Sequence, residues 1–187
     1  MKKIYIFLFL LITTLVASQA SAHKRLFILL GQSNMSGRAP IEDADMAVCP
    51  MVKLLNADGH FEVLRNPLNR FSNIRKDIAM QKLGPGYTFA ETLSEQLQDT
   101  IFFVVNARGG TALERFMKND TAGYYEKTLF RIKQALRERP DLKPATIIWH
   151  QGESNRDDYQ SYLNRKNYSE EEQKIIKKAM FESQTWL

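Results

Sequence analysis

The fold of this chain is decided by residues 26–37, which read LFILLGQSNMSG. Residues 26–30 are five apolar residues, a length and composition typical of a strand that is buried on both faces. The run leads directly into Gly31, where the backbone can turn sharply, and then into Ser33. Because α/β proteins place ligand sites at the carboxyl ends of such strands, Ser33 is a candidate nucleophile.

Two further apolar runs, residues 101–105 (IFFVV) and 145–149 (ATIIW), predict two more buried strands. Helical spacing of apolar residues predicts amphipathic helices over residues 86–98 and 122–139, and Pro140 ends the second. We expect that second helix to pack through four apolar side chains on one face: Tyr125, Leu129, Ile132 and Leu136. Strands separated by helices of this length require parallel crossovers. The sequence therefore predicts an α/β fold with a doubly wound parallel sheet.

The region between the first two buried strands has a different pattern. Residues 51–55 and 61–64 flank Asp58-Gly59 and predict a small β-hairpin. Residues 66–83 show no clean periodicity and predict a long surface loop, of the kind that often shapes a substrate cleft. In the C-terminal tail, Ser169 and Glu172 form the sequence signature of a capping box at a helix start.

Each predicted buried strand ends in a distinctive polar loop. These loops contain Ser33, the pair Gly109 and Gly110, and the pair Gln151 and Glu153. Parallel strands bring their carboxyl ends to one edge of the sheet. We therefore expect segments more than a hundred residues apart in sequence to meet there.

The chemistry of these residues matches acyl transfer. The Ser33 hydroxyl is a nucleophile once a base takes its proton. Gly109 and Gly110 can present backbone N–H groups to a developing oxyanion because no side chain blocks the approach. Gln151 offers an amide donor for the same oxyanion, and Glu153 offers a carboxylate that could orient a base or bind a sugar hydroxyl.

Each of these features also has a more ordinary interpretation. A serine after a strand is commonly a turn or helix cap, a Gly-Gly pair is commonly a turn, and a loop Gln or Glu is commonly solvated. His150 precedes Gln151 in an extended strand, so the two side chains face opposite ways. If Gln151 faces the site, we expect His150 to be a packed, structural histidine.

Taken together, the motifs GQSNMSG, NARGGT and WHQGESN resemble those of the SGNH hydrolases, specifically the sialate O-acetylesterase and acetylxylan esterase branch, carbohydrate esterase family 6. The segment GPGYTFAETL fits the same branch, and the resemblance covers residues 26–155. It implies a flavodoxin-like, three-layer α/β/α fold. It also implies removal of O-acetyl groups from an acetylated carbohydrate, of sialic acid or xylan type, without a metal or another cofactor.

The resemblance also implies a role for each site residue. Ser33 would be the nucleophile, and the oxyanion hole would combine the Ser33 N–H, a glycine N–H from Gly109-Gly110 and the Gln151 side chain. Glu153 would be an acid of the site. Gln32 and Asn34, which flank the serine, would bind substrate. The GQSN context differs from the GxSxG elbow of α/β-hydrolases, which argues against that fold.

The sequence departs from the family pattern in one respect. The family's general base is a histidine in a C-terminal Asp-x-x-His segment, and no histidine follows His150. His23 and His60 are not expected to reach Ser33, so we expect a truncated or interrupted gene product, with a natural minimal form as the alternative. Three hypotheses remain open: a carbohydrate O-acetylesterase that is impaired in this chain, a non-catalytic carbohydrate-binding remnant, and a fragment completed by another polypeptide.

The N-terminus predicts a signal peptide over residues 1–22, with Lys2 and Lys3, an apolar run and a small-residue cleavage site at residues 20–22. An uncleaved anchor is the alternative, but the run is shorter than the ~20 residues that span a bilayer. We expect a secreted or periplasmic protein, with residues 23–187 as one domain and no stable membrane insertion. Its oligomeric state is not indicated.

The composition limits the remaining classes of partner and covalent link. Removing the signal takes two lysines and no acidic residue, which leaves 24 basic and 21 acidic residues and a formal net charge of +3. That mild balance, with scattered lysines, gives no reason to expect nucleic acid binding. Cys49 is the only cysteine, so no internal disulfide can form.

Overall fold

The computed structural model describes residues 24–75, 77–155, 169–172 and 174. The predicted signal peptide therefore lies outside the described residues. The strands are β1 (Lys24–Gly31), β2 (Cys49–Leu55), β3 (Phe61–Leu64), β4 (Ile101–Ala107) and β5 (Leu142–His150). The helices between them are α1 (Ser33–Ser36), α2 (Gly86–Leu97) and α3 (Tyr124–Glu138).

The strands form one mixed sheet in the order β3-β2-β4-β1-β5. β1 lies between β4 and β5 and is parallel to both, with Leu30 opposite Asn106 on one side and Trp149 on the other. This confirms that the three predicted strands are parallel neighbours. β3 pairs antiparallel with β2, which confirms the predicted hairpin.

The sheet buries side chains on both faces, because successive side chains of a strand point to opposite sides. On β1, Phe27 and Leu29 join the core cluster that also contains Tyr87 and Ala90 of α2. Leu26 and Ile28 join a second cluster, against which α3 packs. The three-layer α/β/α architecture is therefore as predicted.

β5 forms where it was predicted, but it is not the buried strand that its apolar sequence suggested. Ile147 is 58% exposed and Trp149 is 39% exposed. Among the described residues, β5 pairs with β1 on one side and lies at the edge of the sheet. An apolar run indicates a strand, but it does not reveal how many neighbours that strand has.

α3 also lies close to its prediction, and Ile132 and Leu136 pack against the second cluster as expected. Tyr125, expected to pack, is 41% exposed, whereas Arg131 is only 2% exposed. The two terminal nitrogens of Arg131 donate to the carbonyls of Leu55 and Asn56, both at 2.7 Å. Burial lowers the pKa of Arg131 to about 10. Apolar periodicity predicted the packing of this helix in part, but it gave no sign of the buried charge at Arg131.

Residues 66–83 were predicted to form a surface loop, but part of this segment is buried. Asn69 is buried and makes two hydrogen bonds to the backbone of Ala107: its Nδ2 donates to the carbonyl at 2.9 Å, and its Oδ1 accepts from the N–H at 2.8 Å. β2 pairs with β4 only as far as Phe103. The Asn69 side chain therefore takes the place of a neighbouring strand at the end of β4, directly below the predicted site.

The predicted capping box is present at the described start of the C-terminal helix. The Ser169 hydroxyl accepts from the Glu172 N–H at 3.3 Å, and the Glu172 carboxylate accepts from the Ser169 N–H at 2.8 Å. No helix in the described ranges is long and apolar enough to cross a membrane.

Candidate active site

The turn after β1 is held between the ends of the two neighbouring strands. The Gln32 N–H donates to the His150 carbonyl, and the Arg108 N–H donates to the Gly31 carbonyl, both at 3.0 Å. Gly31 has φ +144°, and a Cβ added there would overlap the His150 carbonyl oxygen. Only glycine fits this close backbone approach, which delivers Ser33 to the sheet edge.

Ser33 is the first residue of α1 and is partly exposed. Its carbonyl accepts from the Gly37 N–H at 3.0 Å and from the Ser36 hydroxyl at 3.1 Å, so the short helix is closed on itself. The first N–H groups of a helix have no partner within the helix. Within the described ranges, the Ser33 N–H donates to no acceptor, so it can serve an oxyanion.

Gly109 lies directly beside Ser33. A Cβ added at Gly109 would be 3.4 Å from the Ser33 Cβ, whereas a Cβ added at Gly110 would meet no atom within 4 Å. Gly110 has φ +67° and is exposed. Neither glycine N–H donates to an acceptor in the part of the chain that is described. The first and second predicted loops therefore meet, with backbone donors close to the serine.

Gln151 joins the second and third loops. Its Nε2 donates to the Thr111 carbonyl at 3.1 Å and to the Asn155 Oδ1 at 2.5 Å. A primary amide has two N–H hydrogens, and both are used here. In this geometry Gln151 fixes the loops relative to one another and offers no free donor for the predicted oxyanion role.

Glu153 lies beside the serine loop but is held by Asn34. The Asn34 Nδ2 donates to the Glu153 Oε1, and both side chains are exposed. The pair connects the first and third loops across 119 residues of sequence. The Glu153 carboxylate is therefore part of the site surface, oriented by an amide.

Gln32 is placed differently from what substrate contact would require. It is only 3% exposed, and its side chain reaches between two loops. Its Nε2 lies 3.5 Å from the Ser33 Oγ, and its Oε1 accepts from the Ser154 N–H at 3.2 Å. Gln32 thus has the geometry of a residue that positions Ser33, whereas Asn34 is exposed and accessible to a ligand.

Asn155 contributes to the site although the sequence analysis gave it no role. Its Oδ1 accepts from Gln151 and from the Leu113 N–H at 2.8 Å, and its Nδ2 donates to the Glu114 carboxylate at 3.0 and 3.2 Å. The one signal in the sequence was its position at the end of WHQGESN. Asn155 connects the third loop to the turn after Gly109-Gly110.

Asn106 is a second residue whose contribution was not predicted. It is fully buried, and both ends of its amide are satisfied. The Oδ1 accepts from the Ser72 hydroxyl at 2.8 Å and the Asn73 N–H at 3.2 Å, and the Nδ2 donates to Thr128 at 2.8 Å. The signal was a polar residue at the end of an apolar strand. This network fixes β4 below the glycine pair.

Arg38 is the third such residue. Its Nη1 donates to the Ser36 Oγ at 2.9 Å, the Gly37 carbonyl at 2.6 Å and the Met80 carbonyl at 2.5 Å. Its Nη2 lies against Gly109, where an added Cβ would overlap it. The signal was a basic residue directly after GQSNMSG.

The histidines divide between the two edges of the sheet. His60 lies 3.1 Å from Glu138, the last residue of α3. Glu138 shortly precedes the start of β5, whereas Ser33 follows the end of the parallel strand β1. His60 therefore lies at the opposite ends of the strands from Ser33. His150 is the last residue of β5 and is exposed, so the expectation of a packed histidine was wrong. Among the described residues β5 is the outermost strand, and no further strand covers the His150 side chain. His23 lies outside the described residues.

Other nucleophile and metal chemistry finds little support in the described part of the chain. Cys49 is buried, and that burial raises the pKa of its thiol, so it stays protonated at neutral pH. The described ranges contain no group of three or more His, Cys, Asp or Glu side chains that could hold a metal ion.

Comparisons with known proteins give the family of this chain. The model of a family described as a carbohydrate esterase, sialic acid-specific acetylesterase, matches residues 23–182. A probable carbohydrate esterase of Arabidopsis thaliana is 28% identical over 148 residues, which make up 70% of this chain and 54% of the relative. The chain therefore spans about half the length of that curated relative.

One solved structure supports the fold of this chain. The X-ray structure of the Arabidopsis thaliana protein matches with a TM-score of 0.63 and 26% identity, covering 75% of this chain and 63% of that chain. A carbohydrate acetylesterase from Xanthomonas citri matches with a TM-score of 0.43 and 19% identity, covering 70% of this chain and 32% of that chain.

Proposed function

We propose, from the premise that this chain belongs to the carbohydrate esterase family described as sialic acid-specific acetylesterases, that its site removes O-acetyl groups from a carbohydrate with Ser33 as nucleophile. The observation that carries the proposal is the contact between the first two loops. Ser33 and Gly109 are close enough that an added Cβ at the glycine would touch the Ser33 Cβ at 3.4 Å. A nucleophile and free backbone donors for the oxyanion are two of the parts that acyl transfer needs, and a base is the third.

The proposed reaction has two steps. The Ser33 Oγ attacks the acetyl carbonyl carbon, its proton passes to a base, and the carbonyl oxygen becomes an oxyanion. The N–H groups of Ser33 and Gly109-Gly110 stabilise that oxyanion as charge develops. The sugar oxygen then leaves with a proton as a hydroxyl. Water hydrolyses the acetyl ester on Ser33, which releases acetate and restores the serine.

The base of the proposed mechanism is expected on a segment that this chain does not contain. The family resemblance implies an Asp-x-x-His segment, and the 187 residues contain no histidine after His150. His60 lies at the opposite edge of the sheet, paired with Glu138. We therefore propose that the 187-residue chain hydrolyses esters slowly, and that a supplied Asp-x-x-His segment raises the rate. The signal-like residues 1–22 support secretion or a periplasmic location.

A non-catalytic carbohydrate-binding protein is the second candidate. One observation favours it: both N–H hydrogens of the Gln151 amide are used, by Thr111 and Asn155, so one predicted oxyanion donor is occupied. In that case the exposed surface around Asn34 and Glu153 would bind an acetylated sugar without hydrolysing it.

The test measures hydrolysis of 4-nitrophenyl acetate and release of acetate from O-acetylated sugars by the purified chain. Loss of the base in a serine triad costs about a million-fold in turnover, so we expect rates marginally above buffer. We expect Ser33→Ala to change that residual rate little. Ser169→Ala, far from Ser33 in sequence and part of a helix cap, is the matched control.

A second arm fuses the chain to a C-terminal segment that carries Asp-x-x-His from a complete relative. We expect hydrolysis that depends on Ser33, unchanged by Ser169→Ala. If the fused protein binds acetylated sugar but shows no Ser33-dependent release of acetate, the esterase proposal fails and the binding candidate stands. Rapid Ser33-dependent hydrolysis by the unmodified chain would instead show that one of its own histidines serves as base, and His150→Ala would test the one that adjoins Gln32.

A further inference from the structure

A positive charge lies beside the proposed nucleophile. A single Cβ built on Gly109 would meet the Ser33 Cβ at 3.4 Å and would overlap the Arg38 Nη2. The guanidinium and the serine therefore flank the same glycine. An ester that places its carbonyl on the Gly109 N–H would have Arg38 as its near cationic neighbour.

The guanidinium is held in place by one of its two terminal nitrogens. The Arg38 Nη1 donates to the Ser36 Oγ, the Gly37 carbonyl and the Met80 carbonyl, at 2.5–2.9 Å. The Nη2 donates to no acceptor within the described residues, so its hydrogens remain available. A group fixed before the ligand arrives loses little further conformational entropy on binding. Arg38 is thus a preformed cationic donor.

No carboxylate neutralises this charge within the described ranges. Eight other lysines, arginines and histidines form ion pairs there, and Arg38 is absent from them. The two acidic groups near the loops have other partners: Glu153 accepts from Asn34, and Glu114 accepts from Asn155. A half-buried guanidinium without a counter-charge favours an incoming anion.

We propose that Arg38 is a specificity-determining residue, whose Nη2 binds an anionic group of the substrate and so selects acidic acetylated sugars over neutral ones. This inference rests on the proposed function, and it distinguishes the two sugar types that the sequence left open. A sialic acid carries a carboxylate, whereas a xylose unit of a xylan carries none. The carboxylate would bind on the Arg38 side of Ser33, away from the Glu153 carboxylate, which would repel it.

The competing role for Arg38 is purely structural. Its Nη1 contacts connect α1 to the segment around Met80, and loss of those contacts would loosen the nucleophile loop. If Arg38 only stabilises the loop, its loss would weaken the binding of all sugars equally, whatever the charge of the ligand. Discrimination between a charged and an uncharged form of one sugar therefore separates the two roles.

The test compares binding of N-acetylneuraminate and of its carboxamide, which have the same ring and differ in the carboxylate charge. Dissociation constants are measured by ligand-observed NMR with the full chain, so no hydrolysis is needed. We expect the carboxylate to bind about tenfold more tightly, which is about 1.4 kcal/mol. We expect the ratio to shrink as salt rises from 20 to 500 mM, because salt screens exposed charges.

Three variants complete the test. Arg38→Gln should abolish the preference, and Arg38→Lys should retain part of it because it keeps the charge but loses the planar fork. Arg139→Gln removes one positive charge before β5, where Arg139 pairs with Asp141, and should leave the preference unchanged. Circular dichroism checks that each variant is folded.

Equal binding of the two ligands by the unmodified chain would overturn the proposal, even if Arg38→Gln cannot fold. A preference that survives in folded Arg38→Gln would also overturn it. A carboxylate preference that depends on Arg38, in a protein that never releases acetate, would uphold this inference while the esterase proposal fails. The two failures are therefore distinguishable.

Discussion

β4 and β5 start from similar sequences and end in different environments. Both were predicted as buried strands from five-residue apolar runs, and both pair in parallel with β1. Every residue of β4 is at most 2% exposed, whereas Ile147 of β5 is 58% exposed. β4 lies between β1 and β2, while the described part of the chain gives β5 only β1. An apolar run therefore predicts a strand, and the neighbours decide its burial.

The loops that follow the two strands differ in the same way. The loop after β4 rests on Asn106, whose hydrogen bonds to Ser72 and Thr128 are buried. The loop after β5 is held by the exposed bonds from Asn155 to Glu114. Buried hydrogen bonds are costly to break because their groups would be left unsatisfied. We infer that the Gly109 side of the site is the more stable, and that the Gln151 side opens first.

The largest effect is expected at the turn that joins β1 to both strands. Gly31→Ala adds a Cβ that overlaps the His150 backbone, at φ +144°, so it would separate β1 from β5. We expect a loss of about 4–5 kcal/mol in the free energy of unfolding, or no soluble protein. Urea unfolding followed by circular dichroism measures it.

Gly110→Ala is the matched control for that turn. Gly110 also has a positive φ, +67°, but an added Cβ meets no atom within 4 Å. The cost should be limited to backbone strain, about 1–2 kcal/mol. Equal losses for the two variants would show that strain alone, and not the junction of the strands, makes Gly31 necessary.

The next effect tests the burial difference directly with one substitution at two sites. Ile101→Ala on β4 removes a fully buried side chain and should cost about 2–5 kcal/mol. Ile147→Ala on β5 removes a mostly exposed one and should cost about 0.5 kcal/mol or less. Chemical denaturation of both proteins gives the two values. A large loss at Ile147 would mean that its side chain is covered in solution.

The smallest effect concerns two aspartates that precede the strands. A hydrogen bond from Lys24 lowers the pKa of Asp99 and connects β1 to the start of β4 across 75 residues. A hydrogen bond from Arg139 lowers the pKa of Asp141, but these residues are two apart before β5. The local pair can persist in the unfolded chain, so we expect only Asp99 to stabilise the fold, by about 0.5 kcal/mol as a partly exposed pair.

The sign follows from the lowered pKa. The stabilisation by Asp99 is complete above the unfolded pKa, about 3.9, and is lost as the pH falls through the lower folded value. Asp99→Asn should therefore reduce stability at pH 7 and make it less sensitive to acid below about pH 4. Asp141→Asn should change neither. Denaturant midpoints at pH 7 and pH 3 measure both, and an equal response of the two variants would contradict the distinction.

The sequence alone was sufficient for the elements and their order. It located β1, β4 and β5, the hairpin of β2 and β3, and the helices α2 and α3, because periodicity and Gly or Pro punctuation act over short distances. It also predicted that Ser33, Gly109 and Gln151 would belong to adjoining loops, since parallel strands share one edge. The sequence did not predict the hydrogen-bond partners of those residues.

Only the tertiary structure decided which faces are buried and which polar groups meet. The exposure of β5, the burial of Arg131 and the pairing of Asn69 with Ala107 all depend on residues distant in sequence. The same is true of Arg38, whose contact with Gly109 joins segments 71 positions apart. Local pattern reports what a segment can form, whereas burial and polar partnership depend on which neighbours the topology supplies.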